Sequence, residues 1–445
     1  MFFLLVRPLD ASAQVRTALL LGNYNRMPIG EVGSLEGGAF TARVDDATSL
    51  WYNPAGLAAA RSSSVSGNAN IYEQLSLSYG ESGQQTTQNQ IPSFFGGLFK
   101  GNTFAVGYGI TTPIHFTNNA RSIFTGQELG EVYPEFTQLQ TSPIDGYLES
   151  NITYTVLSPG VGLAMSIADW LRIGAGAKLY YVDMNSSFHM FLKQSNGVAP
   201  NLVLSDSSSQ SASAVLSGVD MGFQVDLGSK IKIGFSARSE TTQLSGQGTT
   251  RGDFSYSEDN DADGNGVTDS RYTYIEYVLP QSVPFTINYP RTNTLGVAYT
   301  GDQAELEGNM ICYERIIPYE VFGGGETYFY EKRYREKTPN KSVRGEPLRY
   351  SGEFFCNLAV GLRWKSSQSL HFHGGYYTDY SPEGDVNDLF TELSGEGITY
   401  GVTFMGKNSS ATFGLVQYTS EWSALHSFPL RVESDSLVLS GSYYF

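Results

Sequence analysis

The run VDMGFQVDL, from Val219 to Leu227, places an apolar residue at every second position, and IKIGFSAR, from Ile231 to Arg238, repeats the pattern. A period of two is typical of a β-strand whose two faces meet different surroundings. Only the three residues from Gly228 to Lys230 separate the runs, which is the length of a tight hairpin connection. This stretch therefore predicts two antiparallel strands joined by a short turn.

The same arrangement recurs along the chain. Short turns are predicted at Lys100 to Asn102, Asp169-Trp170, Gly301-Asp302, Lys365 to Ser369 and Lys407 to Ser409. The intervening connections are long and polar, at about Gly80 to Pro92, Pro113 to Ser150, Gln194 to Ser211, Gly246 to Pro284, Pro318 to Tyr350, Ser381 to Gly397 and Glu421 to Ser434. Short periplasmic turns and long extracellular loops are typical of an outer-membrane barrel. A soluble β-sandwich, the alternative, has no need of this asymmetry.

The hairpins predict about fourteen strands, an even number that leaves both termini on the periplasmic side. Their approximate bounds are 63–79, 93–99, 103–112, 151–168, 171–193, 212–227, 231–245, 285–300, 303–317, 352–364, 370–380, 398–406, 411–420 and 435–445. The last strand alternates up to a terminal aromatic, Phe445. The predicted fold class is therefore all-β, a transmembrane antiparallel β-barrel in the outer membrane of a Gram-negative bacterium.

Composition agrees with this fold class. Charged residues make up only 16% of the 445-residue chain and aromatic residues 13%, with 49 glycines and 29 tyrosines, against about a quarter charged in typical proteins. No run of about eighteen apolar residues predicts a membrane-spanning helix. The net charge of −16 argues against a nucleic-acid partner, which requires a clustered basic face.

The N-terminus has features of an export signal. A short apolar run precedes Ala11-Ser12-Ala13, which has the small-x-small form of a signal-peptidase site. We expect residues 1–13 to be a signal peptide with a truncated start, residues 14–62 to form a compact non-strand segment, and residues 63–445 to form the barrel.

Within the second region, the run from Gly37 to Leu57 is rich in small residues and ends in Asn53-Pro54-Ala55-Gly56. Pro54 removes a backbone donor and favours an extended Asn53, and Gly56 allows the chain to reverse. The acidic pair Asp45-Asp46 followed by this turn resembles the N-terminal hatch of the outer-membrane long-chain fatty acid and aromatic hydrocarbon transporters (FadL/TodX-like). The sequence match is confined mostly to this segment. The alternative is that Asn53-Pro54 forms an ordinary connecting turn with no role in gating.

The resemblance implies a porin-like, monomeric channel for passive uptake of hydrophobic small molecules. It implies a hatch inside the lumen, with Asp45, Asp46, Asn53, Pro54, Ala55 and Gly56 as gating positions, and a lateral opening in the wall. The partners it implies are the hydrophobic substrate, outer-membrane lipid and lipopolysaccharide, and the barrel assembly machinery. An alternative is a FadL-like barrel that serves as a protein shuttle or docking component of a secretion system.

A lateral opening needs a break in the strand ladder. Gly107 and Gly109 precede Pro113 on one predicted strand, and Pro159-Gly160 interrupts the next. Proline in a sheet is confined to edges, ends and bulges. We therefore predict a wall kink between these two strands, although Pro113 could also mark an ordinary strand end.

One predicted extracellular loop resembles a calcium-binding loop. Oxygen-bearing side chains recur at every second residue around two glycines, with Asp259, Asp261, Asp263, Asn265 and Asp269 as ligands and Val267 offering a carbonyl. No glutamate occupies the twelfth position, so an EF-hand is excluded. A solvated acidic loop is the alternative; no other cofactor is expected.

Strand parity places a mixed set of charges on one face, which we interpret as lumen lining: Glu305, Glu307, Arg315, Glu353, Arg363, His371 and His373. His371 and His373 could share a metal, but no third ligand is evident. Cys312 and Cys356 fall on the opposite parity of neighbouring strands, where they could form a disulfide; small apolar packing is the role we expect.

Catalytic motifs are lacking. The sequence has no Gly-x-Ser-x-Gly elbow, metalloprotease His-Glu pair or phosphate-binding loop, so we predict that the protein is not an enzyme.

Overall fold

A computed structural model of the chain describes residues 23–24, 26–79, 83–127, 144–194, 202–260, 270–323, 326–333, 336–337, 341–344, 348–382, 394–422 and 430–445. The predicted signal peptide lies outside these residues. Within them, no helix is long and apolar enough to span a membrane.

A closed antiparallel barrel of fourteen strands makes up most of the structure, as predicted. Its first seven strands are β1 (Ser64–Tyr79), β2 (Gly83–Lys100), β3 (Phe104–Gln127), β4 (Ile144–Ala168), β5 (Leu171–Gln194), β6 (Leu202–Leu227) and β7 (Ile231–Arg238). After β8 (Thr242–Asn260) and β9 (Ser270–Pro284), which lie outside this ring, come β10 (Thr292–Thr300) and β11 (Ala304–Tyr313). Five short strands, described below, come next in the chain and are not part of the ring. The last five ring strands are β17 (Phe355–Lys365), β18 (Leu370–Asp379), β19 (Ser394–Met405), β20 (Ser409–Trp422) and β21 (Leu430–Tyr444). β21 pairs with β1, which closes the ring.

The two faces of the wall differ as the alternation predicts. Along β4, Val161, Leu163 and Met165 are exposed, whereas Ala164 between them is buried. The same outward apolar residues recur on β11, β17 and β20, and they form the lipid-facing surface that a transmembrane barrel requires. Phe445 is also exposed, and its backbone N–H donates to the Ser63 carbonyl at 3.0 Å.

Where the structure describes the segments predicted to be long loops, much of their chain continues the strands. β6 begins at Leu202 and includes the serine-rich stretch Ser205 to Ser211, and β3 and β4 stay paired out to Gln127 and Ile144. These strand ends carry polar residues on both faces, so they lack the alternation by which strands are recognised. The bounds were wrong for this reason, although the number of barrel strands was right.

The predicted seventh and eighth strands are interrupted. β7 pairs with the C-terminal part of β6, from Asp220 to Leu227. After residues 239–241 the chain resumes as β8, which pairs with the N-terminal part of β6, from Leu202 to Ser217. The predicted strand from Phe285 to Thr300 starts only at Thr292. Residues 285–291 are irregular and turn Phe285, Ile287 and Tyr289 into the barrel interior, where the Tyr289 and Tyr154 hydroxyls meet at 2.8 Å.

Five short strands continue the wall beyond β9 and β11: β12 (Ile316–Phe322), β13 (Glu326–Arg333), β14 (Glu336–Lys337), β15 (Lys341–Arg344) and β16 (Leu348–Gly352). β13 pairs with β9, and β12 pairs with β16 as a separate two-stranded sheet. They lie on the side of the barrel away from the short turns.

Cys312 and Cys356 form a disulfide, so the expectation of simple apolar packing was wrong. The residues lie directly opposite each other in the β11–β17 ladder, with their Cα atoms 4.1 Å apart. That proximity depends on register, which parity alone does not fix.

The chain before the barrel forms a buried segment surrounded by strands, here called the inner segment (residues 26–62). It contains a 3₁₀ turn at Gly33–Leu35, one helical turn at Ser49–Tyr52 and a 3₁₀ stretch at Pro54–Ala59. Hydrogen bonds join the inner segment to the barrel wall. For example, the Asn68 side-chain amide of β1 donates to the Gly30 carbonyl, and the Thr399 hydroxyl of β19 accepts from the Gly37 N–H.

Candidate functional site

Asn53 fixes the corner of the inner segment. Its Oδ1 accepts a hydrogen bond from the Ala55 N–H at 3.1 Å, which caps the 3₁₀ stretch, with Pro54 at its first position. Its Nδ2 donates to the carbonyls of Thr41 and Phe223, both at 3.0 Å. One fully buried amide therefore joins two parts of the inner segment to β6. Gly56 follows at a point where a Cβ would lie 2.4 Å from the Val44 carbonyl oxygen.

The two acidic residues before this corner differ. Asp45 is exposed, whereas Asp46 accepts hydrogen bonds from the Thr48 N–H at 2.8 Å and from the Thr48 hydroxyl. Burial raises the pKa of Asp46 to about 7, against the opposing effect of these hydrogen bonds. Its protonation therefore changes near neutral pH.

A buried ion cluster holds the inner segment against β11, β17 and β18. Arg43 donates from Nε to Glu307 at 3.0 Å, from Nη1 to Glu305 at 3.1 Å, and from Nη2 to Glu36. Arg363 contacts the same Glu36 and Glu305 carboxylates, at 3.1 and 3.2 Å. Lys365 also bonds Glu305, so three carboxylates meet three strong cations. We call these six residues the ion cluster.

Two carboxylates of the ion cluster receive further contacts, one from a histidine and two from backbone N–H groups. His373 lies with Nδ1 2.7 Å from Glu36 and Nε2 2.9 Å from the Thr403 hydroxyl. The N–H groups of Thr41 and Ala42 donate to Glu307 at 2.5 and 2.7 Å. Burial opposes the ionisation of Glu36, but Arg43 and Arg363 hold its pKa well below the usual range.

The structure separates the residues predicted to line the lumen. Glu305, Glu307 and Arg363 face inward as members of the ion cluster, and His373 faces inward and contacts it through Glu36. His371, two residues before His373 on β18, is half-buried. Arg315 and Glu353 do not belong with them. They lie between strands, pair with each other at 3.3 Å and have side chains 65% and 63% exposed, so strand parity does not apply to them. Within the described residues, no group of three metal-ligating side chains occurs.

A cavity of 110 Å³ lies next to the inner segment, on the side away from the short turns. The inner segment and the irregular 285–291 stretch contribute aromatic residues to it, among them Trp51, Tyr52 and Tyr289. Ile114 of β3 and Val156 of β4 supply an aliphatic wall, and β5 to β11 supply a more polar wall that includes Tyr180, Arg238 and Asn309. Arg238 is stacked on Trp51, with Cζ 4.2 Å from the ring centroid.

The wall beside this cavity is not fully paired. β2 and β3 pair from Lys100 with Ala105 up to Phe94 with Thr111, and beyond that point each pairs only with its other neighbour among the described residues. We call the space between residues 83–93 and 112–127 the β2–β3 gap. At its base, the Thr112 hydroxyl donates to the Pro92 carbonyl at 2.8 Å. Pro113 and Ile114, the next residues, line the cavity, so the β3 edge of the gap borders the cavity.

The five residues predicted to kink the wall occupy different positions. Pro113 lies in a bulge of the β3–β4 ladder, between Thr111 and Ile114. Pro159 and its neighbour Ser158 interrupt the ladder towards β5, whereas Gly160 pairs normally with Gly109. Gly107 is turned inward against Leu57. The unpaired space therefore lies between β2 and β3, not between β3 and β4 as expected.

Of the predicted calcium ligands, Asp259 is opposite Arg271 near the end of the β8–β9 hairpin. Asp261, Asp263, Asn265, Val267 and Asp269 lie outside the described residues, so the calcium site stays a prediction.

A belt of glycines that sequence analysis missed surrounds the inner segment. Ten barrel strands each turn one glycine inward where a Cβ would lie 3.0 Å or less from the inner segment: Gly107, Gly162, Gly174, Gly222, Gly234, Gly296, Gly361, Gly375, Gly401 and Gly414. At Gly174 the obstacle is the Pro54 backbone, 2.4 Å away. The recurrence of glycine on the inward parity of successive strands was the available signal.

Comparison with solved structures identifies the architecture. The Pseudomonas putida toluene transporter TodX superposes with a TM-score of 0.59 at 13% sequence identity, over 96% of this chain and 99% of that one. The CymD monoaromatic hydrocarbon channel gives 0.58 at 12% identity, over 95% and 99%. A Pseudomonas aeruginosa FadL homologue gives 0.54 at 12%, over 94% and 100%.

This is the FadL/TodX outer-membrane fold. At these identities the likeness establishes the FadL/TodX fold alone, in agreement with the predicted resemblance. No protein-family model matches the sequence, and a comparison with curated proteins finds no match either.

Proposed function

We propose that the protein is an outer-membrane channel for passive uptake of hydrophobic small molecules, in which the inner segment closes the lumen and the substrate leaves sideways through the β2–β3 gap. The observation that carries this proposal is that Pro113 and Ile114, at the β3 edge of the gap, also line the aromatic cavity.

The physical requirement is an apolar path around the charged outer leaflet. A solute held among Trp51, Tyr52 and Tyr289 has two directions to leave. Towards the short turns it meets the inner segment and its buried ion cluster, whose disruption would leave charges without partners at a cost of several kcal/mol. Towards the gap it meets one side-chain hydrogen bond, worth about 1 kcal/mol. The lateral direction is therefore the easier one.

The related channels support the substrate class. TodX is described as a toluene transporter and CymD as a monoaromatic hydrocarbon channel. The cavity of 110 Å³ is of the order of the ~150 Å³ apolar cavity that binds benzene in an engineered protein. We therefore propose single-ring hydrophobic compounds as substrates.

Tethering the gap tests the route. The variant Pro92→Cys/Thr112→Cys joins β2 to β3 at the base of the gap, and Phe95→Cys/Ile110→Cys joins them where they are already paired. After oxidation, the first variant should take up radiolabelled toluene into liposomes at least about fivefold more slowly than the second, with recovery on reduction. Equal uptake by the two oxidised variants would refute the lateral route.

The fully enclosed inner segment also suits a second candidate, a closed barrel that docks a secreted protein partner. Such a barrel would take up no hydrophobic compound above the level of empty liposomes, with or without the tether. That outcome would replace the channel with the docking function.

A further inference from the structure

The outward apolar band of the barrel ends along one row of paired residues on β4, β5 and β6. Leu157 pairs with Tyr181 and Tyr181 with Val215, and Leu157 and Tyr181 are 40% and 46% exposed. Beyond this row, at the end away from the short turns, the outward residues of the same strands are polar. Because the acyl chains of the membrane end where the apolar band ends, these polar residues lie at the level of the outer leaflet's head groups.

A groove of 500 Å³ lies on this outward face, and we call it the outer groove. Its floor includes two rows of paired residues, which are Thr153, Asn185 and Ser211 in the first and Ser187, Ser209 and Arg251 in the second. Asn185 and Ser211 are exposed, whereas Ser186 and Gln210, beside them in the chain, are each 7% exposed. The rows therefore point away from the lumen. Neighbouring strands are about 4.8 Å apart, which is close to the width of one sugar ring.

The charges around the outer groove disfavour an anionic ligand. Arg251 is the one cation among the described residues that line it, and Asp253 lies 3.6 Å from that guanidinium. On the membrane side the Asn185 amide donates to Asp183 at 3.2 Å, and Glu149 lies in the row beyond the groove. Phosphates are bound by arginine and lysine donors. Hydroxyl and amide groups between carboxylates suit a neutral ligand that both donates and accepts hydrogen bonds.

An aromatic pair continues the same outward face. Tyr147 of β4 and Phe191 of β5 have their ring centroids 6.0 Å apart and lie two rows beyond Ser187. A sugar ring carries hydroxyls at its rim and an apolar face of C–H groups. Polar rows followed by aromatic rings, about 13 Å further along the strands, therefore match an oligosaccharide of several units.

Another part of the wall differs at the same level. On β19 and β21 the apolar band ends at Ile398 and Leu437, which are 55% and 39% exposed. The next outward residues on these strands are Glu396 and Asp435, and Glu433 follows on β21. The hydroxyl and amide rows are therefore a local feature of β4 to β8 and not the general composition of the wall at head-group level.

We propose that the outer groove binds the sugar portion of lipopolysaccharide in the surrounding outer leaflet. Asn185, Ser209 and Ser211 bond the sugar hydroxyls, and the Tyr147–Phe191 pair packs against the apolar face of a sugar ring. The source is membrane lipid because the groove continues the apolar band that contacts the acyl chains. This interaction does not depend on the proposed uptake function.

Native mass spectrometry of the purified full-length barrel in detergent tests the proposal with three probes. These are lipopolysaccharide that keeps its core sugars, lipid A that lacks them, and the core oligosaccharide freed from lipid. We expect the barrel to bind lipopolysaccharide about tenfold more tightly than lipid A, a ratio that a few hydrogen bonds supply. In Asn185→Ala/Ser211→Ala the two affinities should differ by no more than about threefold.

The matched control is Gln417→Ala/Thr419→Ala, which removes an amide and a hydroxyl from outward positions of β20 at the same level. All four side chains face outward, where substitutions have little effect on folding, and the control should bind as the natural sequence does. Equal binding of lipopolysaccharide and lipid A, or the same loss in both double variants, would overturn the proposal. Tighter binding of the free oligosaccharide than of lipopolysaccharide would overturn the membrane source in favour of a soluble glycan.

Discussion

Two sides of the barrel wall differ in how they are held together. One is linked to the inner segment by buried ion pairs, and the other contains two neighbouring strands that are only partly paired. On the β11–β17–β18 side, three carboxylates and three cations form a buried cluster between the wall and the inner segment. On the β2–β3 side, the strands themselves part above Phe94 and Thr111, and one threonine hydroxyl spans the base of the gap. The inner segment is therefore bound to the wall by many charged contacts on the first side, whereas on the second side two neighbouring strands lack ladder hydrogen bonds.

The largest expected effect comes from disrupting the ion cluster. The variant Arg43→Ala leaves Glu36, Glu305 and Glu307 short of one cation, and removing one member of a buried ion pair costs about 3–5 kcal/mol. We expect faster amide hydrogen exchange in residues 36–43 and a measurable ion conductance in planar bilayers.

Its control is Arg172→Ala, which removes an arginine paired with Asp226 near a short turn, where both side chains are partly exposed. That variant should cost less than about 1 kcal/mol and leave the barrel closed. If both variants exchange alike, the ion cluster is not what holds the inner segment.

The second test crowds the glycine belt. In Gly174→Val, the added Cβ would lie 2.4 Å from the Pro54 carbonyl carbon, which is backbone and not a flexible side chain. Overpacking of this kind costs about 1–3 kcal/mol, so we expect the inner segment to become sensitive to protease. Gly308→Val is the matched control, because a Cβ at Gly308 meets no atom within 4 Å. Equal protection of the two variants would contradict a close fit.

A smaller, pH-dependent effect is expected at the corner of the inner segment. The pKa of Asp46 is raised from 3.8 to about 7 in the folded state, so the folded segment binds the proton more tightly than the unfolded one. Stability from this group is complete below about pH 4 and is lost as pH rises through 7.

Hydrogen exchange of residues 47–53, corrected for the intrinsic effect of pH, should therefore accelerate between pH 5 and pH 8 in the natural sequence. In Asp46→Asn the corrected rate should stay flat. An unchanged slope in that variant would assign the pH effect to another group.

The smallest effect concerns the β2–β3 gap. Thr112→Val removes the hydroxyl at the base of the gap with little change of shape, and one such hydrogen bond is worth about 1 kcal/mol. Uptake should rise by no more than about fivefold. In Thr111→Val, the lost hydroxyl instead bonded Ser158 within the paired β3–β4 ladder, and uptake should not change. A similar rise in both variants would argue against the gap as the exit.

Sequence alternation predicted the barrel because each membrane strand must present apolar residues to lipid, as Val161 and Leu163 do. It predicted the strand ends poorly, because Ser205 to Ser211 continue β6 into water with polar residues on both faces. It also predicted one regular strand through Phe285 to Tyr289. Those residues turn inward instead, because the apolar surface they bury belongs to Tyr154 and Tyr180, distant in sequence.

The candidate site divides in the same way. Asn53 and Pro54 were found because capping and turn formation are local, and Glu305 and Glu307 because parity is local. The pairing of these carboxylates with Arg43, the cavity around Trp51 and the location of the gap depend on which strands meet. Pro159 was predicted to kink the wall between β3 and β4, and it interrupts the ladder towards β5, since a proline marks a missing donor without showing which neighbour loses it.

The sequence by itself determined a closed barrel with an inner segment, because the period of two and the position of turn residues depend on neighbours along the chain. Only the tertiary structure decided where the ion cluster forms and where neighbouring strands stop pairing. Ion pairs, cavities and unpaired strand edges arise between residues far apart in sequence, and their energies depend on register, burial and distance that no local pattern encodes.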